Sequence, residues 1–170
     1  MRDKLVIGIK LFLIAAISGF LLYYINLVTK PVIDDNRLKR EVEKYTLIFP
    51  ELSTYQPTEL EDLTKVFVYD DEESLLGYIY SSGMNNDYGS ISILVGINSD
   101  DEIVRVEFAS LNQTPSYASK VNNDEFLGRF VGNNTDESYI DFDVKVGATY
   151  SASTTRDLID YISKFHEGAE

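Results

Sequence analysis

An uncharged apolar stretch near the N-terminus limits most strongly what this 170-residue chain can fold into. Residues 11–29 contain no charged side chain, and residues 5–9 before them are also apolar. Together they exceed the roughly 20 residues that a helix needs to cross a bilayer. The sequence therefore predicts a transmembrane helix over residues 1–30, in which the long side chain of Lys10 reaches the headgroups.

A cleaved signal peptide is the alternative interpretation of this stretch. Such a peptide ends in small residues spaced as Ala-x-Ala, and residues 26–33 lack that pattern. We therefore expect a retained, single-pass anchor in a lipid bilayer, the cell membrane. More Lys and Arg side chains follow the apolar stretch than precede it, so charge counting alone favours a cytoplasmic C-terminal domain.

The remainder of the chain has the composition of one folded domain with an acidic surface. Over the whole chain the formal net charge is −13, and 44% of the residues are hydrophobic. An acidic surface repels phosphate backbones, so no nucleic acid is expected as a partner. Without any cysteine the chain cannot bind an iron–sulfur cluster through thiolates, and any redox chemistry needs an organic cofactor. No metal site is predicted, and the single histidine, His166, is expected to be a solvated surface residue.

Hydrophobic periodicity predicts an α+β fold after the membrane segment. Residues 31–51 form an amphipathic connecting helix that Pro50 ends, and residues 52–64 form a polar loop or short helix. A mainly antiparallel sheet with flanking helices then completes a domain over residues 52–170. Its strands are predicted from runs of β-branched and aromatic residues at Lys65–Tyr69, Leu75–Tyr80, Ser90–Ile97 and Ile103–Phe108.

A junction of small residues near the C-terminus is the best candidate site. Tyr139–Val144 alternates apolar and acidic residues as a half-buried strand does. Gly147 and Ala148 follow, and their small side chains let a ligand approach the backbone. The free N–H groups of the next helix, with Ser151 or Ser153 as N-cap, favour an anion such as phosphate. That helix is predicted from the apolar positions Leu158, Ile159, Ile162 and Phe165.

The segment from Asp143 to Thr149, Asp-Val-Lys-Val-Gly-Ala-Thr, resembles the flavinylation motif of the FMN-binding domain family. That motif reads Asp-x-x-Ser/Thr-Gly-Ala-Thr/Ser, and Val146 departs from it. The family includes the G subunits of Rnf ion-translocating electron-transport complexes and the related C subunit of the sodium-translocating NADH:quinone oxidoreductase. Segments remote from the motif add to the resemblance, namely Thr29-Lys30-Pro31, Phe49-Pro50, the strand pair within Gly89–Phe108, and Thr114-Pro115.

The resemblance implies that the hydroxyl of Thr149 carries FMN through a covalent phosphoester, which a separate flavin transferase forms. Gly147, Ala148, Thr114 and Pro115 are then the other cofactor-binding residues. Asp143 is either recognised by the transferase or is an outward strand carboxylate. No residue of the chain is expected to be catalytic by itself.

The function implied is an electron-carrying subunit of a membrane-bound, Rnf-type oxidoreductase complex that translocates ions. Its partners are the other membrane subunits, and its C-terminal domain is extracytoplasmic. Long acidic domains can cross a membrane regardless of flanking charge, which is compatible with this orientation. The flavin ring would stack on aromatic residues, with candidates at Tyr78, Tyr80, Tyr88, Tyr117 and Tyr150.

A different class of function remains open, namely a membrane-anchored extracytoplasmic binding or sensory module that retains the fold without flavin. The family has a Glu-Thr-Pro-Gly-Leu-Gly loop, and Gln113–Ala118 keeps only its Thr and Pro. Ser116 places a β-carbon where the family has glycine. This loop and Val146 are the features that favour the flavin-free module.

Overall fold

A computed structural model describes residues 2–168 of the chain, which form two compact units. The first unit extends to Val42 and consists of most of helix α1, Arg2–Ile48. Its apolar side chains from Leu5 to Ile33 are exposed. Within residues 2–168, α1 is the one helix that is long and apolar enough to cross a membrane.

Helix α1 is continuous where the sequence predicted two successive helices. It contains Pro31 and ends at Ile48, two residues before Pro50. The predicted boundaries of the membrane segment (1–30), the connecting helix (31–51) and the domain (52–170) stay predictions. Residues 1, 169 and 170, at their outer ends, lie outside the described residues.

The second unit, from Glu43 onward, contains an antiparallel sheet of five strands in the order β1-β2-β3-β4-β5. Each strand pairs with the next along the chain, so the sheet is a meander. The fold is therefore α+β, as predicted. The elements are β1 Thr54–Glu59, β2 Thr64–Tyr69, β3 Leu75–Asn86, β4 Gly89–Asn98, β5 Ile103–Asn112, α2 Pro115–Val121, α3 Asp124–Leu127 and α4 Thr149–Gly168.

Both faces of the sheet are covered, because apolar side chains occupy alternating positions on both sides of the central strands. On one face Tyr80, Ile93 and Val95 join the main core with α4. On the other face Ile79 and Leu94 pack with the end of α1. Gly96 permits that second contact, since a β-carbon there would collide with the side chain of Ile48.

The four predicted strands are confirmed, and two other predictions about the sheet were wrong. The segment 52–64, predicted as a loop or short helix, contains the edge strand β1. Almost all of β1 is exposed, so its sequence shows no alternation between apolar and polar residues. Tyr139–Val144, predicted as a strand, forms turns, in which Phe142 stacks on Phe130 with ring centroids 5.5 Å apart.

Candidate flavin-binding site

A pocket of about 220 Å³ lies where the β3–β4 turn, helix α2 and the start of α4 meet. All three elements belong to the second unit. The pocket therefore includes the small-residue junction that the sequence indicated. It is lined by Tyr88, Tyr117, Gly147, Ala148, Thr149, Tyr150 and Ser151.

The turn before α4 depends on Gly147, which has a φ of +73°. This left-handed conformation is readily available only to glycine. The Nζ of Lys120 donates a hydrogen bond to the carbonyl oxygen of Gly147 at 2.9 Å. A β-carbon on Gly147 would lie only 3.1 Å from the same nitrogen. Glycine is thus needed here for the turn, and with a β-carbon present the end of the Lys120 side chain would have to shift slightly.

Val146, the position that departs from the flavinylation motif, is partly buried and packs against the main core. It is not among the residues that line the pocket. An apolar side chain is well suited to this position, because it contacts other apolar side chains. The departure at Val146 therefore leaves the pocket surface itself unchanged.

Helix α4 begins at Thr149, so the prediction that Ser151 or Ser153 is its N-cap was wrong. Ala148 immediately precedes the helix, and its carbonyl oxygen accepts the N–H of Ala152 at 2.9 Å. Alanine has no side-chain acceptor for the first helical N–H groups. These donors and the positive end of the helix dipole therefore face the pocket without a side-chain cap. Thr149 lies beside them with an exposed side chain.

A ring of hydrogen bonds fixes the start of α4 against the two neighbouring elements. Ser151 donates to Oε1 of Gln113 at 2.6 Å, and Nε2 of Gln113 donates to Oδ1 of Asn86 at 2.9 Å. Nδ2 of Asn86 in turn donates to Oγ1 of Thr154 at 3.0 Å, which returns the ring to α4. The backbone N–H of Tyr88 also donates to Oδ1 of Asn86, at 2.9 Å. The ring therefore positions one of the pocket tyrosines as well as the helix.

Three of the five candidate tyrosines meet at the pocket. The ring centroids of Tyr88 and Tyr150 are 5.2 Å apart, and those of Tyr88 and Tyr117 are 6.2 Å apart. All three side chains are between 43% and 57% exposed, which leaves ring surface free for a ligand. Tyr78 and Tyr80 lie elsewhere, beside His166, and do not line this pocket.

The other predicted site residues lie near the pocket without lining it. Thr114 precedes α2 and accepts hydrogen bonds through its carbonyl oxygen from Tyr117 and Ala118, and Pro115 is the first residue of that helix. The carboxylate of Asp143 is exposed and accepts the N–H of Lys145 at 3.0 Å. It lies in an irregular segment and not in a strand, so its interpretation as a strand carboxylate was wrong.

His166 was predicted to be a solvated surface residue, and this was wrong. Its side chain is buried among neighbouring aromatic rings. Its Nδ1 lies 2.8 Å from the hydroxyl of Tyr80, and its Nε2 lies 2.8 Å from Oδ1 of Asp101. His166 connects the C-terminal end of α4 to strand β3 and to the β4–β5 turn. It is therefore remote from Thr149, which is at the other end of the helix.

Sequence reasoning did not identify Lys120, Gln113 and Asn86 as residues of the site. Gln113 immediately precedes Thr114-Pro115 and was noted only as a departure from the family's glutamate. Lys120 and Asn86 belong to no motif, and they reach the site through contacts between distant segments. Asn86 begins the short polar sequence Asn-Asp-Tyr-Gly, and this turn signal could have indicated its place between two strands.

The geometry describes a domain that can bind a phosphate-bearing aromatic ligand at the start of α4. Residues 87–163 match the family model for the FMN-binding domain, and this range contains every residue that lines the pocket. This part of the chain thus resembles an FMN-binding domain.

A named relative makes the resemblance more specific. The chain is similar to the G subunit of the Na(+)-translocating ferredoxin:NAD(+) oxidoreductase complex of Acetobacterium woodii. The two are 22% identical in an alignment that covers 72% of this chain and 69% of the relative. The similarity to this G subunit thus extends beyond the residues that match the FMN-binding domain model.

Proposed function

We propose that the protein is an electron-carrying subunit of a membrane-bound, Rnf-type oxidoreductase complex, with FMN attached to Thr149 through a phosphoester. The exposed hydroxyl of Thr149, at an uncapped helix start inside the pocket, is the observation that carries the proposal. The match to the FMN-binding domain and the similarity to the Acetobacterium woodii G subunit support the electron-transfer part.

The residues present at the pocket suit FMN. A phosphate ester at Thr149 would lie beside the unpaired N–H groups of the first turn of α4 and the positive end of its dipole. The exposed faces of Tyr88, Tyr117 and Tyr150 offer aromatic surfaces for the flavin ring. Bound FMN would supply the redox chemistry, while these side chains would bind and orient it.

Attachment requires a phosphoryl transfer that the chain does not catalyse by itself. In the proposed step, Oγ1 of Thr149 attacks the FMN phosphorus of FAD. A new O–P bond forms, the pyrophosphate bond to AMP breaks, and the hydroxyl proton is lost to a base of the separate flavin transferase. AMP leaves, and no electron is gained or lost. Asp143, exposed six residues before Thr149, is available for recognition by that transferase.

The proposed partners are a lipid bilayer and the other membrane subunits of the complex. Helix α1 would anchor the chain, with the flavin domain on the extracytoplasmic side. A covalent bond is useful there, because FMN lost outside the cytoplasm is not easily replaced.

The direct test is expression of the full chain in a membrane together with a flavin transferase, followed by a denaturing gel read by flavin fluorescence. Wild-type protein is expected to give a fluorescent band, and Thr149→Val is expected to give none. Thr149→Ser is the matched control, since it retains a hydroxyl at the same position and is expected to remain fluorescent. A fluorescent Thr149→Val band would contradict the assignment of the attachment residue.

The flavin-free binding or sensory module is the second candidate, and the Thr-Pro segment is the observation that favours it. Pro115 and Ser116 lie within helix α2 rather than in a glycine loop, so this segment gives a ligand less access to the backbone. A dark wild-type band would favour this module, provided that the same transferase flavinylates a known substrate protein in parallel.

A further inference from the structure

We propose that Lys120 is the phosphate-binding residue of the flavin site, and that its hydrogen bond to Gly147 holds it beside Thr149 before the cofactor arrives. This inference rests on the proposed function, because it concerns the phosphate of the same FMN. It assigns the binding of the phosphate group to a residue outside the flavinylation motif.

The position of the Lys120 ammonium group carries the argument. Its Nζ lies 2.9 Å from the carbonyl oxygen of Gly147, which is two residues before Thr149. It also lies 5.7 Å from the ring centroid of Tyr117, on the α2 side of the pocket. Gly147 and Tyr117 both line the pocket. Lys120 itself does not line the pocket, but its ammonium group lies directly behind Gly147 and near Tyr117, close to the residue proposed to carry the phosphate.

The charge of Lys120 is also not neutralised by a nearby acid. Among residues 4–168, no carboxylate oxygen lies within 4.0 Å of its Nζ, although the chain carries a net charge of −13. Several other basic residues of the same unit do pair with carboxylates, namely Arg105, Arg129, Arg156 and Lys164. Lys120 instead has a neutral carbonyl as its hydrogen-bond acceptor.

A lysine without a carboxylate partner can readily donate to a phosphate oxygen in addition to, or in place of, a carbonyl oxygen. An ammonium group has three N–H donors, so Lys120 can bind a phosphate oxygen while it retains or releases Gly147. A phosphate oxygen carries negative charge, so it attracts the ammonium group more strongly than the neutral carbonyl oxygen of Gly147 does. The unpaired N–H groups at the start of α4 favour an anion at the same place. The two features together select a ligand with a phosphate group.

The first measurement is the noncovalent binding of flavins to full-length Thr149→Val protein in detergent. The quenching of flavin fluorescence reports the binding. FMN and riboflavin are compared, because they differ only in the phosphate. Lys120→Gln is expected to weaken FMN binding roughly three- to tenfold and to leave riboflavin binding unchanged. Lys120→Arg is expected to restore most of the FMN affinity, and the effect is expected to shrink as salt is added.

Lys145→Gln is the matched control. It also removes a lysine charge near the site, because Lys145 lies two residues before Gly147. It is expected to change FMN binding less than twofold. A purely structural role of Lys120 would weaken FMN and riboflavin equally, and that result would overturn the proposal. Equal FMN affinity of Lys120→Gln and its parent would overturn it as well.

The second measurement separates this inference from the proposed function. With the transferase present and Thr149 intact, Lys120→Gln is expected to slow the appearance of the fluorescent band, whereas Lys145→Gln is not. A fluorescent wild type with unaffected Lys120→Gln would overturn only the role of Lys120. A dark wild type would overturn the covalent attachment, and the comparison of FMN with riboflavin would still decide the role of Lys120. If neither flavin bound, the role of Lys120 would be overturned, and the fluorescent band would still decide the covalent attachment.

Discussion

At the scale of single residues, the conformation of Gly147 gives the sharpest test of the turn. Gly147→Ala is expected to lower the free energy of unfolding by about 1 kcal/mol, because a β-carbon disfavours a φ of +73°. It is also expected to reduce flavinylation at Thr149, since that β-carbon would lie 3.1 Å from Nζ of Lys120. Chemical denaturation of the detergent-solubilised chain and in-gel fluorescence measure the two effects.

Gly132→Ala is the control for backbone strain. Gly132 has a φ of +81°, and a β-carbon there meets no atom within 4 Å. It should cost about the same stability as Gly147→Ala and leave flavinylation unchanged. If both variants reduced flavinylation equally, general destabilisation would explain the loss, and the turn would have no special role.

Residues of the site were predictable where they follow one another along the chain. Gly147, Ala148 and Thr149 share one short motif, so the sequence alone indicated their place at the start of a helix. Lys120 reaches Gly147 across 27 residues, and His166 reaches Tyr80 across 86. No local pattern encodes such contacts, which is why Lys120 was missed and His166 was expected at the surface.

At the scale of elements, Asp160 connects the long segment before α4 to the helix itself. Its Oδ1 accepts the backbone N–H of Tyr139 at 2.9 Å, and its Oδ2 accepts a hydrogen bond from Lys164 at 2.6 Å. Burial acts to raise the pKa of Asp160, but the hydrogen bonds from Lys164, Tyr139 and Ser138 lower it overall. The folded state therefore favours the ionised carboxylate more than the unfolded chain does.

The sign of the pH dependence follows from this lowered pKa. The stabilisation by Asp160 is fully present above its ordinary value of 3.8 and is lost as the pH falls through the lower folded value. Asp160→Asn is expected to destabilise the protein by roughly 1 kcal/mol at neutral pH. The difference from wild type should narrow below about pH 4. Denaturation midpoints measured from pH 7 to pH 3 test this expectation.

Asp157→Asn is the control on the same helix, because Asp157 pairs with Arg156 and is more exposed than Asp160. It should change stability by less than about 0.5 kcal/mol. A difference between Asp160→Asn and wild type that stayed constant down to pH 3 would show that ionisation of Asp160 does not stabilise the fold.

Asp160 also shows why one predicted element was wrong. Tyr139–Val144 has the alternation of a strand, yet the N–H of Tyr139 is bound by a helix carboxylate instead of a neighbouring strand. The buried ring of Tyr139 and the half-buried ring of Phe142 pack against Phe130 in turns. Ile140 is 51% exposed although it is one of the apolar positions, so the alternation of residue types does not correspond to burial along this segment. The four strands of the central ladders were predictable because burial and pairing agree over most of their length.

At the scale of the whole molecule, the side of the membrane on which the domain lies decides whether a covalent cofactor is useful. More basic residues follow the apolar stretch than precede it, so charge counting alone favours a cytoplasmic second unit. Long acidic domains can nevertheless cross a membrane regardless of flanking charge. We expect the second unit to be extracytoplasmic. Protease added to intact spheroplasts should then digest it, while protease added to inside-out vesicles should not.

The orientation of the domain is expected not to depend on whether the cofactor is attached. Thr149→Val should show the same digestion pattern as wild type, since α1 and its flanking charges are unchanged. A cytoplasmic protein that survives protease outside the spheroplasts shows that the membrane is intact. Protection of the domain in spheroplasts, with digestion in inside-out vesicles, would place it in the cytoplasm. There FMN is freely available, and the benefit of a covalent bond at Thr149 would need another physical explanation.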